Sequence, residues 1–466
     1  MDIISRLKDN SAKLTEATKS VRAFIEGIVD KKSFVETDAF AAGLGFLDGT
    51  EAQGEGVLTG YATLADMPVY IFVQNFEVMK GSMSIAQANK IEKCIKMAIK
   101  TGTPFISVID SAGARLGEGV GVLEGYAKLI KAASEMKGNI PHIAVIKGSS
   151  VGLMSAYAGL ADIVLIDGKD GMISLSSPNV VAAKSDEKLP TKDLFGALNS
   201  CRNGVSTLAY SGISDLKTKL CEIFGILSGN LPSEDDANRA TKTLNNEVSL
   251  ESLLKATCDN GDYISLNNES AKEVVTALAR INGISVGIVA TDGSLDGGKL
   301  GFKAYKKIKT FTNLLDNFQI PLVSLVDSLG AKPCLKCEQD GVTTNASEAF
   351  LSIALSQIPK ISVIYGNAIG LSYALLASKG IGFDYVVAFP GASVAPLTAD
   401  TAVNFLYLDE IGASKNPIQS REKLVSSYTE REGNPFIAAK DGFIDNIIEP
   451  SQVRPYLASI LAMLEG

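Results

Sequence analysis

One histidine, His142, and six scattered cysteines are all that this chain of 466 residues offers of those two residue types. The cysteines stand at 94, 201, 221, 258, 334 and 337, too dispersed for a disulfide framework, so reduced thiols are expected. Cys334-x-x-Cys337 alone has the spacing of half a zinc site. A second pair is lacking and His142 opens an apolar strand, so no metal and a loop with two free thiols are expected. No apolar run approaches the ~20 residues of a membrane helix. The first thirty residues mix both charge signs at helical spacing without a signal-peptide core, so a cytoplasmic protein is expected. A net charge of −8 argues against a nucleic-acid surface. The length allows two or three domains with sizeable cores.

What the chain does contain is the same passage twice. GTPFISVIDSAGAR (102–115) followed by IPHIAVIKGSSVGLMSA (140–156) returns as QIPLVSLVDSLGAK (319–332) followed by IPKISVIYGNAIGLSYA (358–374). Pro104, Asp110, Gly113 and Ala114 match Pro321, Asp327, Gly330 and Ala331 at an offset of 217 residues. Gly148, Gly152 and Leu153 match Gly366, Gly370 and Leu371 at 218. An offset that changes by only one residue across so many glycines implies an internal duplication, with halves expected at 1–232 and 233–466.

Each half reads alike. A strand–turn–strand pattern (56–76; 271–290) leads into an amphipathic helix (84–100; 301–318), a buried strand (105–109; 322–326), a second helix (119–137; 347–357), a second buried strand (143–146; 361–364), and a helix from about Gly152 or Gly370. Continuous apolar strands alternating with amphipathic helices predict an α/β fold with parallel strands covered on both faces. The ββα order does not suit a doubly wound dinucleotide fold. Segment 184–260 reads as polar and irregular, with LSGNLPSEDDAN (227–238) as the expected linker.

Three motifs invite other readings. Gly148-Ser-Ser150-Val-Gly152 matches G-x-S-x-G between a strand and a helix, but no histidine follows it, which leaves only a serine–lysine arrangement. GSLDGGK (293–299) begins like a Walker A loop, yet Leu300 stands where a hydroxyl would hold magnesium. Glu77-Val-Met-Lys80 resembles a biotin-bearing turn, but Gly81-Ser82 and a long helix follow.

Backbone chemistry remains. In each half a buried strand ends in glycine and enters a helix of small first residues, GSSVGLMSA and GNAIGLSYA. Such a junction aims free N–H groups and the positive end of a helix dipole at one point. Aimed at a thioester oxygen, they form an oxyanion hole for an enolate. The plainer reading is that Gly152 and Gly370 only permit tight strand–helix packing.

These stretches resemble the carboxyltransferase component of biotin-dependent acyl-CoA carboxylases and decarboxylases, such as the propionyl-CoA carboxylase β chain. The similarity runs nearly end to end, through GEGVLTGYATLADMPVYIFVQNF (54–76), KGSMSIAQANKI (80–91), DSAGARLGEGV (110–120) and NPFIAAKDGFIDNIIEPSQVRPYL (434–457). The resemblance implies two tandem crotonase-like ββα-spiral domains. It implies carboxyl transfer between biotin, carried on a separate protein, and a short acyl-CoA, the cofactor itself supplying the base. It assigns one cradle to the amides of Gly152 and Leu153, and a second to Leu371 and Ser372 after Gly370. Lys80, Gly81, Ser82, Ala112, Gly113, Ala114 and Arg115 would lie on the acyl-CoA side, and Ala374 would line the acyl pocket. Partners would be a biotin carboxyl carrier protein and a biotin carboxylase, or a membrane decarboxylase subunit, around a homohexamer built as a trimer of dimers.

The departures fall at the cradles and on the biotin side. Both cradles read Gly-Leu where the family has Gly-Gly. Lys80-Gly81-Ser82 replaces Gly-Gly-Ser, Asp327 is followed by SLGAKPC (328–334), and VTTNA (342–346) replaces an Ile-Arg-His-Gly segment. Two alternatives follow: the α subunit of a sodium-pumping decarboxylase, and a silent scaffold that binds acyl-CoA without turnover.

Overall fold

The structure, a computed structural model, describes residues 3–41, 53–184 and 191–465. The chain divides into two compact units, Met1–Gly225 and Ile226–Gly466.

In the first unit two helices, Ile3–Ala17 and Lys19–Ile28, precede a hairpin of strands β1 (Val57–Leu64) and β2 (Met67–Gln74). Its two-residue turn, Ala65-Asp66, lies at φ +49 and +64, the primed geometry that matches strand twist. Helix α1 (Ile85–Thr101) starts where the Ser84 side chain accepts from the Gln87 amide and stops at Gly102 in the left-handed region. Then follow β3 (Phe105–Ser111), α2 (Gly121–Met136), β4 (His142–Val151), α3 (Leu153–Ala158) and β5 (Ile163–Asp167). Strand β2 pairs with β3 in parallel, β3 with β4, and β4 with β5. All seven residues of β3 are buried, as expected for a parallel strand covered on both faces.

The second unit repeats the order with β6 (Val274–Ile281), β7 (Ile284–Thr291), α4 (Phe302–Asn317), β8 (Leu322–Ser328), α5 (Val342–Leu355), β9 (Lys360–Ile369), α6 (Leu371–Leu376) and β10 (Tyr385–Ala388). Its hairpin turn is Asn282-Gly283, and its parallel pairings are β7 with β8, β8 with β9, and β9 with β10. The register slips at the same place in both units, between Ile109 and Ser111 and between Val326 and Ser328. That slip opens the strand end from which each cradle is built.

Two expectations need correction. Segment 184–260, read as irregular, contains helices Thr191–Phe195, Ala197–Arg202, Gly212–Leu227 and Leu250–Thr257 and strand Leu208–Tyr210; residues 185–190 lie outside the described residues. The longest of these helices buries Leu216, Leu220, Ile223 and Phe224 completely, a spacing of three and four that marks one helical face. Residues 228–241 carry no helix or strand, but they are pinned within the second unit. The fully buried Arg454 donates to Asp236 O at 2.9 Å and to Asp259 Oδ1 at 2.7 Å. The second correction concerns Cys334 and Cys337, expected as free thiols: a disulfide joins them. Their sequence spacing permits that bond, and only the turn that begins the helix Leu335–Gln339 brings the sulfurs together.

Candidate active site

Each unit braces its strand ends with one aspartate. Asp110 accepts from Lys147 Nζ at 2.9 Å and from the Ser149 amide at 3.2 Å, while its own amide donates to Gln74 Oε1 at 3.2 Å. Asp327 accepts from the amide and side chain of Asn367 at 2.7 and 2.9 Å, and its amide donates to Thr291 Oγ1 at 2.8 Å. A Cβ at Gly148 or Gly366 would overlap these carboxylates, and one at Gly81 or Gly298 would overlap the carbonyl oxygen of Asp110 or Asp327. The glycines are required for close packing around a carboxylate already spent on hydrogen bonds. The Walker-like loop is therefore the second copy of the turn holding Lys80 and Gly81. That turn joins β2 to α1 and is not the tip of a hairpin, so the position of Lys80 does not resemble a biotin-bearing one.

The predicted site residues meet around these braces. The Ala112 amide donates to Lys80 O at 3.0 Å, the Met83 amide to Gly113 O at 2.8 Å, and the Arg115 amide to Met83 O at 2.8 Å. Leu329, Leu300 and Lys332 make the same three bonds in the second unit, to Gly297, Gly330 and Leu300. This ladder skips Ala114 and Ala331, whose amides meet no acceptor among the described residues. A Cβ on Gly113 would lie 3.8 Å from Val151 O, and one on Gly330 2.9 Å from Ile369 O, so each loop lies against the strand end that enters the next helix.

At those helices Gly152 stands at φ +69, ψ −136 and Gly370 at φ +55, ψ −119, conformations open essentially to glycine alone. The Gly152 amide donates to Ser174 O at 3.0 Å and the Gly370 amide to Ala395 O at 3.0 Å. Gly152 is thus a turn-former whose donor is already committed, contrary to the sequence expectation. The amides left without an acceptor among the described residues are Leu153 and Met154 in the first unit, and Leu371, Ser372 and Tyr373 in the second; the Ser155 amide, the first unit's counterpart of Tyr373, donates to Gly152 O at 3.0 Å. The hydroxyls beside them are occupied: Ser155 Oγ donates to Gly152 O at 2.6 Å, and Ser372 Oγ to Ser328 O at 3.0 Å and Ile369 O at 2.9 Å. Ala374 sits one turn after Leu371, half-buried, with its amide on Gly370 O at 3.2 Å.

Arg115 is the other correction. Expected to face CoA, it is 5% exposed and donates from Nη1 to Glu55, whose carboxylate also accepts Ser84 Oγ at 2.6 Å. Its Nη2 donates to Ser82 O at 3.2 Å. Arg115 therefore ties the cradle loop to the turn at 80–84, and a buried guanidinium in that position has no face left for a phosphate. Sequence reading also passed over Met154 and Ala331 as donors; the offset that pairs Ala331 with Ala114 was the available signal.

Among the described residues neither a histidine nor a lysine reaches the serine of the G-x-S-x-G motif: Ser150 Oγ is buried without a hydrogen-bond partner, and Lys147 Nζ is bonded to Asp110. His142 begins β4 and Ser150 lies near its end, roughly 26 Å further on at the rise of an extended strand. The imidazole is completely buried, bonded through Nε2 to Ser107 Oγ at 2.8 Å, and desolvation holds its pKa down at about 3. Burial raises the hydroxyl pKa of Tyr373 and keeps it protonated. Among the described residues no group of three or more His, Cys, Asp or Glu side chains could hold a metal, and no helix is long and apolar enough to cross a membrane.

Residues 13–466 match the carboxyl transferase domain family. The chain belongs to that family. It is 31% identical to the methylmalonyl-CoA carboxyltransferase 12S subunit of Propionibacterium freudenreichii subsp. shermanii, over 96% of this chain and 89% of the relative. It is likewise 31% identical to the methylmalonyl-CoA decarboxylase subunit alpha of Veillonella parvula, over 96% and 90%. The transcarboxylase 12S structure, a hexamer solved with methylmalonyl-CoA and methylmalonic acid bound, superposes with a TM-score of 0.93 at 28% identity, covering 99% of this chain and 94% of that one. The two units are therefore crotonase-like, as the family resemblance implied.

Proposed function

We propose that the chain transfers a carboxyl group between biotin, borne on a separate carrier, and a short-chain acyl-CoA. The observation that carries this reading is the pair of matched turns, each with amides that meet no acceptor among the described residues. The amides of Ala114, Leu153 and Met154 hold the thioester oxygen as it gains enolate charge; those of Ala331, Leu371 and Ser372 do the same for the ureido oxygen of biotin. Biotin supplies the carboxyl group and, through its ureido nitrogen, the base for the α-proton. Each well-aimed donor contributes about 3–4 kcal/mol to such a transition state. Asp110 and Asp327 keep the loops rigid, so little reorganisation accompanies the chemistry.

A cytoplasmic homohexamer like the 12S protein is the expected assembly, working with a biotin carboxyl carrier protein and a biotin carboxylase. The similarity to a decarboxylase α subunit favours a second reading, in which the same cradles run the reaction backwards for a membrane partner. Carboxyl exchange between free biotin and a panel of acyl- and malonyl-type CoA esters tests both. Exchange with at least one ester is expected. Absence of exchange with at least one ester still bound refutes catalysis and leaves the scaffold reading; absence of binding of every ester at millimolar concentration refutes both.

A further inference from the structure

The residues that present the free amides differ in what their side chains can touch. Met154 and Ser372 are fully buried, and Ala114 and Ala331 carry only a methyl group. Leu153 and Leu371, by contrast, are 36% and 42% exposed at the first position of their helices. A donating N–H holds an oxygen at about 2.9 Å, and the Cβ of the donating residue is about 2.5 Å from its own nitrogen. The isobutyl group of Leu153 therefore lies within van der Waals reach of the atoms bonded to the carbon that bears the held oxygen. In an enolate those atoms are the sulfur and Cα, and any Cα methyl group lies in the enolate plane, two bonds from that carbon. An α-methyl group and the leucine side chain compete for the same shell.

Resting on the acyl-CoA reading above, we propose that Leu153 is a specificity-determining residue that restricts the first cradle to the two-carbon acyl group. The preferred pair is then acetyl-CoA and malonyl-CoA, whereas the relatives described above are named for methylmalonyl-CoA. A Cβ at neighbouring Gly152 would meet no atom within 4 Å beyond its chain neighbours, so no other residue crowds the turn, and the exposed Leu153 is the large apolar side chain beside it. Ala156, one helical turn on, is small and half-buried and adds little to that wall.

The test compares kcat/KM for acetyl-CoA and propionyl-CoA in biotin-dependent exchange, using the assembled full-length protein and its Leu153→Ala, Leu153→Gly and Leu153→Met variants. One methylene in an apolar pocket changes selectivity about 10–200-fold. The wild type should favour acetyl-CoA at least tenfold by that measure. Leu153→Ala and Leu153→Gly should shift the ratio toward propionyl-CoA by about 10–100-fold, and Leu153→Met should keep it. Where a truncation stops turnover, the ratio of dissociation constants for the two esters, from calorimetric titration, carries the same comparison. A wild type that takes propionyl-CoA equally well, or truncations that leave the ratio unmoved, overturns the proposal while the transferase reading stands. A shift produced by Leu371→Ala instead overturns the assignment of the acyl group to the first cradle. Failure of the wild type to bind or turn over any ester removes the transferase reading itself.

Discussion

Alanine at Gly152 separates the strain of the turn from its chemistry. At φ +69, ψ −136 an L-residue is strained by about 1–3 kcal/mol. The new methyl group would meet nothing within 4 Å, so the cost is backbone strain with no clash added. For a unit of about this size each kcal/mol lowers the melting temperature by roughly 2–4 °C, so a loss of ~2–12 °C is expected. If the turn relaxes to relieve that strain, the amides of Leu153 and Met154 rotate away from the oxygen they serve. Loss of one such donor slows the chemical step about 10²–10³-fold. Urea denaturation and carboxyl exchange on the same preparation read the two effects. Gly225→Ala, late in the helix Gly212–Leu227 and also with nothing within 4 Å of the new Cβ, supplies the opposite sign: a gain of roughly 0.5–1 kcal/mol. A Gly152→Ala protein with unchanged stability and unchanged exchange would refute both the strain argument and the cradle.

Arg115→Ala leaves Glu55, whose side chain is 2% exposed, without its guanidinium, and a stability loss of about 3–5 kcal/mol is expected in urea titrations. A variant of full stability whose only defect is a tenfold weaker CoA affinity would restore the ligand role rejected here. His142 has a folded-state pKa of about 3, below its ordinary 6.5, because its ring is desolvated. The unfolded chain therefore binds the extra proton first, and this group's contribution to stability is lost as pH falls from about 6.5 toward 3. Being the single histidine, it gives one set of imidazole NMR signals, which should stay those of the neutral ring from pH 8 to 5; a midpoint near 6.5 would contradict the burial.

Much of the fold was legible because it depends on short-range pattern. Period-two hairpins, period-3.6 helices and fully apolar strands placed the elements of both halves within a few residues, and the repeat offset supplied the pairing that a single copy would have hidden. The helix Gly212–Leu227 was missed although Leu216, Leu220, Ile223 and Phe224 carry the signal, because polar residues on its outer face masked the period. The site was legible to the level of which turns matter and no further.

The amino-acid order alone determined that this chain is a doubled α/β unit, and it pointed to the glycine-led turns at 152 and 370 as matched features of the two copies. These follow from composition and from local backbone preference, which need no distant partner. Which donors are free was decided only by tertiary structure. Ser174 and Ala395, arriving from short strands further along the chain, consume the amides of Gly152 and Gly370; Glu55 consumes the charge of Arg115. A hydrogen-bonding group is available to a ligand only if nothing else in the fold has claimed it, and that claim is made by residues far away in sequence.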